Sequence, residues 1–286
     1  MADVATLTTD LDGLLPIIYK QARETSLFAP IMRNIVPAFN ATGKSGNTVD
    51  IPKWGTVTAA AGAEGVDYVI NQKLGTTKQT YVVGKARIGT KITDEDIEDA
   101  SEDVMKRHGR ELGRGLAQYD DETALAMFSG LTTNALGVMN ATLDLTSFLK
   151  AITKLKVSKV PDVNGLVAVL HPVQTSDMYT AMLTNTNFGA LTPVVDNEIA
   201  KRFGAKNLMG VTVYEDGNIT VDVNGDGVGA MFHPEAFTRI QKRALRIEKK
   251  RLEESESFAI YGSERYVYGE VEDSFACKML FNATIA

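Results

Sequence analysis

The sequence predicts an α+β protein in which helices and strands are mixed irregularly. A single long helical pattern occupies residues 93–128, the stretch after Phe237 reads almost wholly as β, and the middle alternates short helices with short strands. At 286 residues the chain is twice the ~150 residues typical of one domain, so one large or two closely joined domains are expected. Hydrophobic residues make up 44% and charged residues 23%, which is enough apolar material for a sizeable core.

Taken in order, residues 8–26 form an amphipathic helix pattern, with Leu11, Leu14, Leu15, Ile18 and Ala22 at helical spacing. Pro30 and Pro37 then bracket an extended apolar arm, Ile31 to Phe39. Strand-like runs follow at 46–54 and 77–92. Between them lies GTVTAAAGAEGVDYVINQKLGT, too long for a structureless loop inside a compact domain. It reads as a long projecting hairpin whose Trp54, Val66 and Ile70 need a neighbouring subunit to cover them.

In the helix pattern over 93–128, Thr93 stands at the cap with Asp96 three residues on. The acids Asp94, Glu95, Asp96, Glu98 and Asp99 complement the helix dipole. Ile97, Val104, Leu112, Leu116, Tyr119 and Met127 supply one apolar stripe. Gly109, Gly113 and Gly115 each cost about 1 kcal/mol relative to Ala, so a bend is expected there. Further helices are expected at 146–156, from Pro172 to Leu183, and at 195–203. Strands are expected at 165–170, 209–215 and 228–232. Residues 237–252 and 257–271 should pair as a long hairpin across Glu253–Glu256.

Charge and motifs narrow the function. The formal net charge of −6 argues against a dedicated nucleic-acid binder, which needs clustered bases to neutralise phosphates, but not against a wall that surrounds DNA. The single cysteine, Cys277, excludes an intrachain disulfide and suits a reducing compartment, where it reads as a small buried apolar residue. The N-terminus has acids where a secretory signal needs bases, and no run of eighteen apolar residues occurs, so a cytoplasmic protein without a membrane span is expected.

AFNATGKS, Ala38 to Ser45, matches a relaxed phosphate-binding loop around Lys44, but Gly46, Asn47 and Pro52 oppose the helix that such a loop requires. DVNGDG, Asp222 to Gly227, opens like a calcium loop, yet His233 stands where the bidentate Glu belongs; a tight turn is expected. GRGLAQ at Gly113 and SFLK at Ser147 lack their partner motifs and read as chance matches. His108, His171 and His233 lie in no metal-binding spacing. No catalytic, cofactor-binding or metal residue is assigned, and no enzyme is expected. The run Arg239, Lys242, Arg243, Arg246, Lys249, Lys250 and Arg251 is read as a solvated strand face or a contact with an acidic neighbour. Residues 94–103 carry the complementary seven acids.

The order of these elements resembles the Hong Kong 97-type major capsid protein of tailed bacteriophages. The resemblance covers nearly the whole chain and includes Val169-Leu170-His171-Pro172 leading into a helix, GLVAVLHPVQTSDMYTAML around it, and the closing VEDSFACKMLFN. It implies an N-arm at 1–45 and an extended loop at 46–92. It implies a peripheral domain from 93–142 and 237–275, carrying the spine helix and long hairpin, and an axial domain from 143–236 and 276–286. It further implies hexamers and pentamers closing an icosahedral shell around double-stranded DNA, with a separate scaffolding protein, a portal and a decoration protein as partners. The protein would then be a virion component assembled in the host cytoplasm. Lys53, Lys73 and Lys78 are available for the intersubunit crosslink of some members, but nothing in their context selects one. The alternatives are an encapsulin-like compartment with the same fold and a soluble phosphate-loop enzyme using Lys44.

Overall fold

The computed structural model describes residues 20, 30–55, 57–59, 61–62, 64–65, 73–95, 102–184 and 207–285. The helices expected at 8–26 and 195–203, and Val66 and Ile70, lie outside the described residues.

Three sheets organise the described residues. The first is four-stranded, made of β1 (Ala38–Asn40), β4 (Ala86–Thr93), β10 (Phe237–Leu252) and β11 (Ser257–Glu270), in the order β1-β10-β11-β4. β10 and β11 form the long hairpin, registered from Phe237 opposite Glu270 to Leu252 opposite Ser257. Its turn is Glu253–Ser255, closed by Glu256 in the left-handed region at φ 40°. Across this sheet lies helix α1 (Glu102–Leu125), about 36 Å long at 1.5 Å per residue. Leu112 and Leu116 of α1 share one core with Ile88, Leu245 and Ile260 of the sheet. Gly109, Gly113 and Gly115 all lie within this continuous helix. At Gly115 the gain is close approach: a Cβ there would overlap Cδ1 of Ile88 on β4.

The second sheet is six-stranded: β5 (Ala135–Leu136), β12 (Ala276–Asn282), β9 (Asp226–Phe232), β6 (Val167–Leu170), β8 (Val211–Glu215) and β7 (Asn207–Leu208), in that spatial order. Helices α2 (Leu145–Val157) and α3 (Pro172–Thr184) accompany it. Phe148, Ala151, Ile152 and Leu155 of α2 and Met178 of α3 pack with Ala168, Leu170, Met231, Cys277 and Met279. Successive strand residues point to opposite faces, so Val167, Val169, Ala230 and Phe232 enter the other core instead. Every residue of β6 is buried, because both faces of this strand are covered. Phe128, Phe232 and Phe237 join the two sheets, with ring centroids 5.0–5.9 Å apart.

The third sheet is the two-stranded hairpin of β2 (Thr48–Trp54) and β3 (Thr76–Val82). The run expected as one strand over 77–92 is thus two, split at Val83–Lys85. Val83 turns inward, donates its N–H to the Asn47 carbonyl at 2.9 Å, and packs with Ala41, Val49 and Ile240 in a small separate core. The break lets the chain leave the hairpin and enter the four-stranded sheet as β4.

Candidate assembly surface

The β2–β3 hairpin has two unlike faces. Val49, Ile51, Lys53, Gln79 and Tyr81 lie on the half-covered face. The opposite face carries Thr48, Asp50, Pro52, Trp54, Lys78, Thr80 and Val82, all exposed. Trp54 is 63% exposed and Val82 60%, and Val57 and Leu74 beyond the strands are also open. Large apolar side chains left open at both ends of a thin hairpin are surface that an intersubunit contact can cover. Only Pro52 within β2 lacks an N–H, and it is tolerated because β2 pairs with one neighbour alone.

The arm preceding β1 is anchored by charge. A helical turn, Met32–Ile35, places its first N–H groups on Asp121 of α1, which accepts from Ile31 N and Met32 N at 3.0 Å each. Burial pushes the Asp121 carboxyl up to about 6, against the opposing pull of those two N–H groups, and the nearby Asp216 and Asp120 charges add to the rise. Beside it, Arg239 Nη2 lies 3.4 Å from Asp120 and 3.6 Å from Glu264, all three nearly inaccessible. Its guanidinium stacks 4.7 Å from the Tyr266 ring centroid and 5.7 Å from that of Tyr268. Burial opposes its charge, but Asp120, Tyr268 and Glu264 outweigh that and hold the guanidinium more firmly protonated. Arg33 reaches the same two acids at 3.8 and 4.0 Å. The arm is therefore tied to both the helix and the sheet.

This corrects the reading of the basic run as one solvated face. Arg239 is interior, and the other bases diverge. Lys242 donates to the Gly46 carbonyl, Arg243 to Ser263 Oγ at 2.9 Å, and Arg246 pairs with Glu248 at 2.7 Å. Arg251 makes two bonds to the Asp94 carboxylate at 2.5 and 2.6 Å and lies 4.6 Å from the Phe258 ring centroid. Those bonds hold the Asp94 carboxyl below its ordinary value. One acid of the acidic run, Asp94, thus meets one base of the basic run, Arg251, within one subunit at the tip of the long hairpin. Asp96, Glu98 and Asp99 lie outside the described residues.

The suggestive motifs resolve as structural turns. Ala38–Ser45 is β1 and a turn with Gly43 at φ 83°, and β2 follows in place of a helix; Lys44 Nζ sits 4.9 Å from the Phe39 ring centroid. In DVNGDG, Asp222 accepts from Asn224 N and Asp226 N at 2.8 and 2.9 Å, while the Asp226 carboxylate accepts from Asn140 N. Both carboxylates serve backbone N–H groups, and Gly225 at φ 87° closes a tight turn. His171 and His233 each accept from the N–H two residues on, Val173 and Glu235, at strand-to-helix steps. Cys277 is buried, and burial pushes its thiol up to about 11. Among the described residues no three His, Cys, Asp or Glu side chains converge as a metal site, and no helix is long and apolar enough to cross a membrane. What the sequence does not reveal are Asp120, Asp121 and Glu264, which look like any surface acid until the fold buries them.

Comparison with known proteins agrees with this architecture. The family model described as phage capsid protein matches residues 75–278. No curated protein matches the sequence. Among solved structures, Mycobacterium phage Che8 superposes with a TM-score of 0.67 at 20% identity, covering 90% of this chain and 92% of that one. The mature capsid of bacteriophage PhiM1 gives 0.64 at 12% identity, over 90% and 89% of the two chains. A virus-like particle from Pyrococcus furiosus gives 0.61 at 9% identity, over 92% and 98%. Spine helix, long hairpin, two-sheet body and thin outer hairpin together with the family match give one conclusion: the chain belongs to the phage capsid protein family, as a structural major capsid protein with the Hong Kong 97-type α+β fold.

Proposed function

We propose that this subunit assembles as hexamers and pentamers into an icosahedral head enclosing double-stranded DNA, and that it catalyses no reaction. Residues 1–45 serve as the N-arm, 46–92 as the extended loop, 93–142 with 237–275 as the peripheral domain, and 143–236 with 276–286 as the axial domain. Assembly takes place in the host cytoplasm with a separate scaffolding protein, a portal and a decoration protein. The observation that carries this reading is the β2–β3 hairpin, whose outward face offers Trp54 and Val82 to solvent while a single small core holds its root. A two-stranded hairpin is marginal alone in water, so this one is built to be covered by a second copy.

Electron microscopy of the purified protein tests the reading: closed isometric particles with pentameric vertices are expected. Tubes, or persistent monomers under all salt and concentration conditions, overturn it. The likeness to the Pyrococcus furiosus particle favours a second reading, an encapsulin-like shell around protein cargo. Nucleic acid inside particles recovered from infected cells decides for the head.

A further inference from the structure

The half-covered face of the β2–β3 hairpin meets three consecutive residues at the end of β11. Tyr81 donates its hydroxyl to the Glu270 carbonyl at 2.6 Å. Gln79 Nε2 reaches the Val271 carbonyl at 3.5 Å. Lys53 Nζ lies 2.5 Å from the Glu272 carboxylate. The Tyr81 ring lies flush over Gly269, where any Cβ would overlap Cδ1 and Cε1 of the ring. The receiving segment is itself fixed to the body. Val271 N and Glu272 N both donate to the Ala236 carbonyl, at 2.8 and 3.2 Å. Asp273 accepts from the N–H and hydroxyl groups of Thr132 and Thr133 at the exit of the spine helix, at 2.6–3.3 Å. Four donors hold the Asp273 carboxyl below its ordinary value despite burial.

We infer that Lys53, Gln79 and Tyr81, seated on Gly269–Glu272, are the positioning residues that set the angle at which the hairpin leaves the body. The inference rests on the shell-forming reading, because the angle matters where the hairpin must meet a second copy. Two features make the contact decisive. The hairpin's core lies at its root, where Ile51, Tyr81 and Val267 pack against Ala41, Val49, Val83 and Ile240; the end that carries Lys53 and Trp54 lies outside that core. The three side-chain contacts occur at successive distances from that root, Tyr81 nearest and Lys53 beside Trp54, so together they resist rotation about it. A surface ion pair contributes little to global stability, yet it suffices to select one orientation of an element held by so few other contacts. Glycine at 269 is required because the ring occupies the space of its side chain.

Trp54 is the only tryptophan and sits one residue from Lys53, so its fluorescence reports the hairpin directly. Time-resolved Trp54 anisotropy of the unassembled full-length protein should show the hairpin turning with the body. Lys53→Glu should add a fast nanosecond component and lower the yield of closed particles. Combining it with Glu272→Lys should restore both readouts. The single and double variants carry the same substitution beside Trp54, so restoration cannot come from a local change in quenching. Gly269→Ala should produce the same fast component by lifting the Tyr81 ring. Unchanged anisotropy in Lys53→Glu and Gly269→Ala, or a swap that restores neither readout, overturns the inference. A parent protein that shows the slow, body-coupled anisotropy but never forms particles would instead remove the shell-forming reading while leaving the positioning role intact.

Discussion

Two antiparallel hairpins of this protein meet opposite fates. β10–β11 has strands of 16 and 14 residues, lies under the spine helix, and buries Ile240, Leu245, Phe258, Ile260, Tyr266 and Tyr268. β2–β3 has two strands of seven residues and buries Val49 alone. Burial alternates along β2, whereas β10 and β11 each open with four consecutive buried residues, because both faces are covered there. The difference lies in the partners. β10–β11 is flanked by β1 and β4 and roofed by α1, whereas among the described residues β2 and β3 pair only with each other and touch the body through the small root core and the segment at the end of β11. A strand pair becomes part of the body when other elements of its own chain reach it. Left otherwise uncovered, it becomes material for contact with another chain.

The comparison breaks most readily at Arg239. Arg239→Ala leaves Asp120 and Glu264 buried with only the more distant Arg33 guanidinium, at 3.8 and 4.0 Å, and loss of one partner from a buried ionic group costs about 3–5 kcal/mol. Denaturant unfolding of unassembled subunits should show that loss; a change under ~1 kcal/mol would mean that water already serves these acids.

Asp121 sharpens the contrast through pH. Its folded-state value is raised, so the native state retains a proton that the unfolded chain has released. The resulting stabilisation is fully present below the ordinary carboxylate value of 3.8 and is lost as pH rises through about 6. Asp121→Asn cannot titrate, so its melting temperature should fall less than the parent's between those limits. Parallel melting curves for the two proteins across that window would contradict the assignment.

Removal of residues 58–74 reverses the emphasis. The described part of that segment adds no residue to any of the three cores, so the melting temperature should hardly move, while closed particles should be lost in electron micrographs. Normal particles from the deletion would show that the hairpin tip makes no essential contact.

The smallest effect on folding is expected from Arg246→Glu, Lys249→Glu and Arg251→Glu together. Arg246 and Arg251 form exposed pairs with Glu248 and Asp94, so melting should shift only slightly. Assembly at low salt should fall more, because complementary charge steers and registers docking. Equal assembly of mutant and parent at low salt would reduce these bases to a solvated edge.

Sequence pattern located the β10–β11 turn at Glu253–Glu256, although no glycine marks it, because two long β-rich runs converge there. It also located the helix that begins at Pro172, since proline at a first helical position leaves no donor unsatisfied. It missed the split at Val83–Lys85, where β-propensity continues unbroken but the chain changes partners. It could not separate Asp120 and Asp121 from Glu122, their exposed neighbour, because burial depends on which side of α1 meets the sheet and the arm. Nor could it distinguish Arg239 from the other bases of its run. One residue's place in the register turned it inward onto Tyr266 and Tyr268.

By itself, then, the sequence determined the elements and their class, since hydrophobic period, proline and turn residues act within a few positions of one another. It also carried enough of their order to resemble a capsid subunit. Which acids are buried, which hairpin is roofed and which is left open were decided only in the tertiary structure. Those properties arise from contacts between residues tens to hundreds of positions apart, such as Asp121 with Met32 and Lys53 with Glu272, and no local pattern encodes such pairs.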